Sequence, residues 1–207
     1  SRRPLVFRAD VSAPQLGRDL LDDVLDLNVS GAWPEHERLL DGARELARRK
    51  VDVMVQAGSP LAIAYPKGED LRLIDAIEKA TGIPATTDVT APVEALKYLS
   101  VKKVAVASPM REELNPMVRR FLEGYDFEVV SIKNLDIPLF EIERQPIAAG
   151  YKLAREAVRA APDAEGIYFI GNCWMASENI DRLEKELKVP AVSAMTGLIW
   201  KCFNILR

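Results

Sequence analysis

The chain has few of the residues that catalytic and metal sites most often use. Its 207 residues include one histidine, His36, and two cysteines, Cys173 and Cys202. Two cysteines are too few for a disulfide framework in a chain of this length, and no Cys-x-x-Cys pair or Cys/His cluster is present to bind zinc. A single histidine leaves one possible base for a Ser-His-Asp or Cys-His mechanism. Any chemistry therefore depends on carboxylates, hydroxyls, backbone amides or a thiol.

The sequence also lacks an excess of charge and any long apolar run. Lys and Arg number 28 against 31 Asp and Glu, which gives a net charge of −3, while 48% of the residues are hydrophobic. This balance argues against extended disorder, a nucleic-acid surface and a polybasic membrane anchor. The apolar stretches are far shorter than the roughly 18 to 20 residues that span a bilayer, and Arg8 and Asp10 interrupt any signal-peptide apolar region. We therefore expect no nucleic-acid partner, no membrane partner and a cytoplasmic location.

Short β-branched runs alternate with amphipathic stretches along the chain, which is typical of βα units around a parallel sheet. The pattern predicts strands near Leu5–Arg8, Val24–Val29, Val51–Gln56, Pro84–Asp88, Lys103–Ser108, Phe127–Ile132, Gly166–Ile170 and Pro190–Ser193. It predicts helices over Pro34–Lys50, Leu71–Thr81, Ala91–Tyr98, Glu112–Glu123, Ile147–Ala160 and Ser177–Leu187, and an apolar helix over Leu198–Leu206.

The second half of the chain repeats the first. The clearest match sets Ile-Glu-Lys-Ala-Thr-Gly-Ile-Pro-Ala-Thr-Thr at 77–87 against Leu-Glu-Lys-Glu-Leu-Lys-Val-Pro-Ala-Val-Ser at 183–193. The fold class that follows is α/β, with two pseudo-symmetric Rossmann-like lobes, each a four-stranded parallel sheet flanked by helices. We expect an N-terminal lobe over 1–98 and a C-terminal lobe over 99–207, and the terminal helix either stays with the second lobe or crosses to the first.

Ligands of open parallel sheets bind outside the carboxyl ends of the strands. Two facing lobes would bring two short loops across one cleft, and these loops consist of Gly58, Ser59 and Pro60 and of Gly171, Asn172 and Cys173. A glycine at a strand end permits positive φ or a close backbone approach, and a serine after it offers a hydroxyl and an amide to a carboxylate. The alternative is that the first of these loops is only a tight turn.

Two hydroxyls and one thiol complete the candidate site. Thr86 and Thr87 end a predicted strand and place one hydroxyl on each face, so either one points into the cleft or both are ordinary strand residues. Cys173 precedes the helix predicted from Ser177, where it can act as a proton donor or acceptor, or be an inert buried thiol. Cys202 lies in the terminal apolar helix and is predicted to be a core residue.

Four segments together resemble the aspartate/glutamate racemase superfamily, and within it the arylmalonate decarboxylase and maleate cis-trans isomerase branch. They are residues 51–60, 80–87, 93–115 and 183–200. The resemblance covers about residues 33 to 206 and implies a two-lobed enzyme without metal or cofactor. Such an enzyme works at the α-carbon of a small carboxylate substrate by racemisation, cis-trans isomerisation or decarboxylation, and a homo-oligomer would follow the habit of the family.

The resemblance also implies roles for particular residues. Gly58 and Gly171 stand where the racemases carry their two cysteines, and Cys173 lies two residues beyond the second position, a shift of roughly 6 to 7 Å along an extended strand. Ser59, Thr86 and Thr87 match loops that hold carboxylates in the family. We therefore expect a decarboxylase or isomerase with an enediolate-like intermediate and Cys173 as proton donor.

Two other functions stay open at this stage. One is a non-catalytic protein that binds small carboxylates on the same scaffold, because glycine replaces both family cysteines. The other is a Rossmann-like nucleotide binder, against which the absence of a Gly-x-Gly-x-x-Gly or Walker loop argues.

Overall fold

The structure is a computed structural model and describes residues 36–64 and 67–207. Its α-helices are α1 His36–Arg48, α2 Ser59–Ala64, α3 Glu69–Thr81, α4 Thr90–Tyr98, α5 Asn115–Gly124, α6 Ile147–Ala160, α7 Ile180–Leu187 and α8 Ala194–Ile205. Its strands are β1 Met54–Gln56, β2 Ala85–Thr87, β3 Lys103–Ser108, β4 Glu128–Asn134, β5 Gly166–Phe169 and β6 Ala191–Ser193. Short 3-10 helices cover Glu112–Leu114, Leu139–Arg144 and Ala176–Asn179. None of these helices is long and apolar enough to cross a bilayer.

The alternation of strands and helices predicted from the sequence is confirmed over the described residues. The strand Lys103–Ser108 and the helix Ile147–Ala160 have the predicted bounds. Helix α2 was not predicted, since its six residues are too few to show helical periodicity. The strands predicted at Leu5–Arg8 and Val24–Val29 lie outside the described residues.

Both sheets are parallel, which confirms the α/β class. One sheet has four strands in the order β4-β3-β5-β6, and in the other β1 pairs with β2 from Met54–Ala85 to Gln56–Thr87. The carboxyl ends of neighbouring parallel strands lie on one edge, so the segments that follow β1 and β2 are adjacent. Whether two whole lobes are related by pseudo-symmetry stays a prediction.

The sequence repeat appears as a matching pair of hydrogen bonds. The carboxylate of Glu78 in α3 accepts the amide of Ala85 at 2.9 Å, and the carboxylate of Glu184 in α7 accepts the amide of Ala191 at 2.9 Å. In each case a helix holds the first residue of the strand that follows it. This explains why a Leu/Ile-Glu-Lys segment precedes a Pro-Ala segment in both halves.

The largest apolar cluster crosses the predicted boundary at residues 98–99. It joins Val93 and Leu96 of α4 to Val104 of β3, Leu122 of α5 and Tyr168 of β5, all of which are almost fully buried. Each such aliphatic side chain contributes about 1.5 to 3 kcal/mol through burial. Helix α4 is therefore anchored on the four-stranded sheet although it follows β2 in the chain.

Helices α4 and α8 approach each other closely at Gly197. A Cβ atom added at this glycine would lie 2.7 Å from Cα of Pro92, so only glycine permits the contact. Around it, Lys201 pairs with Glu94 at 2.5 Å, and the rings of Tyr98 and Trp200 lie 5.4 Å apart. The terminal helix thus fixes the position of α4, which begins directly after the end of β2.

We expect Gly197→Ala to lower the free energy of unfolding by about 1 to 3 kcal/mol, because the added methyl group meets backbone that cannot move alone. Gly42→Ala in α1 is the matched control. Nothing lies within 4 Å of the added methyl group there, so it should raise the free energy of unfolding by about 0.5 to 1 kcal/mol through helix propensity. Urea denaturation measures both changes, and an unchanged stability of Gly197→Ala would contradict the close packing.

Candidate active site

The centre of the candidate site is the carboxyl group of Asp88, which follows β2. Its Oδ2 atom accepts hydrogen bonds from the Gly58 amide at 3.0 Å, the Ser59 hydroxyl at 2.8 Å and the Asn172 side-chain amide at 3.3 Å. One oxygen atom thereby joins the loop after β1 to the loop after β5. Both of the loops that the sequence predicts to face each other donate to this residue, which the prediction did not include in the site.

Local backbone structure explains why these donors converge. The Asp88 amide donates to the carbonyl of Gln56 at 3.0 Å, which extends the pairing of β1 with β2 by one residue. Gly58 then has a φ of 131°, a conformation that residues with a Cβ rarely adopt, and turns its amide towards Asp88. The segment Gly58-Ser59-Pro60 is therefore the entry to helix α2, with Pro60 in the first helical turn, where its missing N–H is not needed.

Burial governs the electrostatics of Asp88. The side chain is completely buried, and this burial raises the pKa of the carboxyl group above its ordinary value, although the hydrogen bonds from Gly58 and Ser59 oppose the change. Its hydrogen-bond donors among the described residues are all uncharged. Its second oxygen, Oδ1, has no hydrogen-bond partner in the described part of the chain.

Cys173 lies on the loop after β5, in the sequence Gly171-Asn172-Cys173, and the φ of 84° at Gly171 lets this loop turn back. The residue is exposed, and its Sγ donates a weak hydrogen bond to Oδ1 of Asn172 at 3.5 Å. Partial burial of the sulfur raises the pKa of the thiol, and the negative charges of Asp88 and Glu143 raise it further. Burial and both charges therefore favour the protonated form of the thiol.

The two strand threonines have different environments, although both are fully buried. The Thr87 hydroxyl accepts the amide of Thr90 at 2.9 Å and shares a 2.7 Å hydrogen bond with the Thr90 hydroxyl, so it supports the start of α4. Thr90 in turn donates to Asp70 at 2.6 Å. By contrast, the Thr86 hydroxyl has no partner among the described residues. Thr86 is thus the threonine with a hydroxyl still available.

Besides Asp88 itself, sequence reasoning missed Tyr168, which lies near Asp88. It lies in β5, its ring belongs to the apolar core, and its hydroxyl has no hydrogen-bond partner among the described residues. Burial raises the pKa of the phenol, and the negative charge of Asp88 raises it further. The available signal for Asp88 was its position, an acidic side chain directly after a buried Thr-Thr pair, whereas nothing in the sequence distinguishes Tyr168 from a core tyrosine.

The remaining candidates of the sequence analysis divide between the site and the core. Gly58, Ser59, Asn172 and Cys173 come together around Asp88, whereas Cys202 is buried in α8 as predicted. In residues 36–64 and 67–207 no group of three His, Cys, Asp or Glu side chains is arranged to hold a metal ion. The groups that can contact a ligand here are hydroxyls, amides, a carboxyl group and a thiol.

Known proteins share this fold and part of this sequence. The arylmalonate decarboxylase from Bordetella bronchiseptica is 29% identical over 170 residues, which make up 82% of this chain and 71% of that protein. A crystal structure of arylmalonate decarboxylase is 27% identical, with a TM-score of 0.77, and the match covers 82% of this chain and 75% of that one. The maleate cis-trans isomerase of Nocardia farcinica has the same fold, with 19% identity and a TM-score of 0.76 over 84% of this chain and 75% of that one.

The similarity extends over nearly the whole chain. The sequence model of the arylmalonate decarboxylase family matches residues 29–207. This range includes both loops around Asp88 and the terminal helix. The chain therefore belongs to the arylmalonate decarboxylase family.

Proposed function

We propose that the protein decarboxylates a small malonate-type acid without a cofactor, and that Cys173 donates a proton to the carbon that loses carbon dioxide. One observation carries this proposal. The thiol of Cys173 is exposed on the loop that also carries Asn172, a donor to Asp88, and its Sγ donates to Oδ1 of Asn172 at 3.5 Å. Family membership supports a lyase or an isomerase, and the decarboxylases in this family give the substrate class.

The chemistry needs two functions from the protein. As the bond between the α-carbon and one carboxylate breaks, its electron pair moves into the remaining carboxylate and forms an enediolate. Hydrogen-bond donors in a water-poor site stabilise this negative charge. A proton from the Cys173 thiol then goes to the α-carbon, and the thiolate that results regains a proton from water. The sum is one carbon dioxide released and one proton taken up.

The protonation state of Cys173 favours decarboxylation over isomerisation through a sulfur adduct. Attack of sulfur on a double bond requires a thiolate, whereas protonation of an enediolate requires a thiol. Burial and the negative charges of Asp88 and Glu143 keep the proton on sulfur. A resting thiol is therefore prepared for the acid step and poorly prepared for nucleophilic addition.

The two loops around Asp88, one of which carries Cys173, are the proposed carboxylate site. The loop of Gly58, Ser59 and Pro60 offers an amide and a hydroxyl at the start of α2, and the loop of Gly171 and Asn172 offers a side-chain amide. Thr86 is proposed as a further donor, since its hydroxyl is unengaged among the described residues and lies on the opposite face of β2 from that of Thr87.

A second candidate function is the binding of small carboxylates without turnover. It is favoured by one observation, namely that three of the expected ligand donors are hydrogen-bonded to Asp88. Deuterium distinguishes the two functions. A decarboxylase working in deuterated water places one deuterium on the α-carbon for each carbon dioxide released, whereas a binding protein places none.

We expect Cys173→Ala to lower kcat for phenylmalonate by about 10²- to 10⁴-fold, because a positioned acid contributes about that factor. Release of carbon dioxide measures the rate. Cys202→Ala is the matched control, since it removes the other thiol of the chain, which is buried on α8. It should leave kcat within about twofold of the wild-type value. Full turnover by Cys173→Ala would show that this thiol is not the acid.

The two threonines supply a second matched pair. We expect Thr86→Val to lower kcat/KM by about tenfold or more with no loss of stability, because this hydroxyl has no partner to lose among the described residues. Thr87→Val should instead lower the free energy of unfolding by about 1 to 2 kcal/mol, because it removes the acceptor for the Thr90 amide.

Steady-state kinetics and urea denaturation separate the two effects. A Thr86→Val variant that keeps wild-type kcat/KM would remove Thr86 from the carboxylate site.

A further inference from the structure

The donors expected to bind a ligand carboxylate are occupied by a carboxyl group of the chain itself. Oδ2 of Asp88 receives the Gly58 amide, the Ser59 hydroxyl and the Asn172 side-chain amide. These three donors, which we call the anion cradle, come from two loops that are distant in sequence. A ligand carboxylate that uses the same donors would therefore have to displace the internal carboxylate.

The other oxygen of Asp88 differs from the first. Oδ1 is buried and has no partner among the described residues, whereas Oδ2 accepts from three donors. A proton bound by this group is thus better placed on Oδ1, where it competes with no existing donor. The protonated group then carries an O–H that can donate to a ligand oxygen.

We infer that Asp88 is a specificity-determining residue, and that a ligand carboxylate takes over the donors of the anion cradle only when the carboxyl group of Asp88 binds a proton. This inference rests on the proposed function, because it concerns how the same site admits its carboxylate. Two carboxylates that share one set of donors cannot both stay ionised at low cost. A protonated Asp88 removes the repulsion and adds a donor.

The longest hydrogen bond between the anion cradle and Asp88 indicates which donor first turns from Asp88 to a ligand. The Asn172 amide lies 3.3 Å from Oδ2, the longest of the three contacts, and Asn172 is only half-buried. Its side chain can turn towards a ligand while the Gly58 amide and the Ser59 hydroxyl remain inside. Asn172 also accepts a hydrogen bond from the thiol of Cys173. Rotation of its side chain towards a ligand therefore brings the ligand next to the proposed acid.

In the described part of the chain, few titratable groups interact with Asp88 and could compete with it for the proton taken up on ligand binding. The titratable ones among the described residues are the phenol of Tyr168 in β5 and the thiol of Cys173, and burial raises the pKa of both. Glu143 acts on Cys173 and adds a second negative charge near the loop. With uncharged donors around it, burial alone favours protonation of Asp88, in agreement with its raised pKa.

The experiment is a calorimetric titration of the protein with malonate between about pH 7 and 8.5, in HEPES and in Tris, whose heats of ionisation differ. We expect net uptake of protons on malonate binding wherever free Asp88 is ionised, and a Kd that rises with pH there by up to about tenfold for each pH unit. For Asp88→Asn, which keeps the shape and carries no charge, we expect no proton uptake, a Kd that changes by less than about twofold with pH, and binding at least about tenfold tighter than wild type at pH 8.5.

Asp70→Asn is the matched control. Asp70 is also a buried aspartate with hydroxyl donors, but Thr90 belongs to α4 and Tyr125 directly follows α5, so neither donor belongs to the two loops. It should keep the wild-type proton uptake. Malonate binding without proton uptake by the wild type, equal proton uptake by Asp88→Asn, or no malonate binding by either protein would each overturn the inference.

Failure of the proposed function looks different. If the wild type takes up protons on binding malonate, Asp88→Asn binds malonate without proton uptake, and phenylmalonate releases no carbon dioxide, the role of Asp88 stands and the decarboxylase does not. Turnover of phenylmalonate with a pH-independent Kd for malonate in both proteins would leave the decarboxylase intact and remove the role of Asp88.

Discussion

The candidate site depends on one buried carboxylate oxygen. Oδ2 of Asp88 accepts hydrogen bonds from an amide and a hydroxyl after β1 and from a side-chain amide after β5. It therefore joins two loops that no strand pairing among the described residues connects. A carboxyl group in this position is costly, because burial disfavours its charged form. The uncharged donors reduce that cost only in part, and the group consequently retains a raised pKa. The same constraint that orders the loops therefore makes them sensitive to protonation.

This arrangement links the proposed acid to the proposed carboxylate site. The amide of Asn172 donates to Asp88 through Nδ2, so its Oδ1 atom faces the sulfur of Cys173. A carbonyl oxygen in front of sulfur can only accept, which suits a thiol and disfavours a thiolate. Decarboxylation needs such a thiol, and it also needs donors for the enediolate. One asparagine side chain thus contacts both parts of the machinery, and a ligand that displaces it from Asp88 comes to lie beside the thiol.

Much of the fold could be predicted from the sequence, because burial and alternation leave strong patterns. Lys103–Ser108 reads as a continuous buried strand, and Ile147–Ala160 shows helical spacing, so both have the predicted bounds. Helix α2 was missed because six residues give less than two turns of periodicity. The close contact at Gly197 was also missed, since a glycine within an apolar helix does not reveal which backbone approaches it.

The site was predicted in part. The glycines after β1 and β5 indicated where the chain turns, and both have positive φ as a loop at a strand end requires. Sequence alone could not show that the nearby donors point at an internal carboxylate, because Asp88 is 30 residues from Gly58 and 84 from Asn172. Nor could it separate Thr86 from Thr87, since the two differ only in which face of β2 they occupy.

The most direct measurement is the titration of the Asp88 carboxyl carbon by NMR in protein labelled with ¹³C-aspartate, with Asp88→Asn used to assign the signal. We predict that Asp88 titrates above the ordinary range for aspartate, and that saturating malonate moves the midpoint of its titration further upward. A midpoint at or below the ordinary value that malonate leaves unchanged would contradict it.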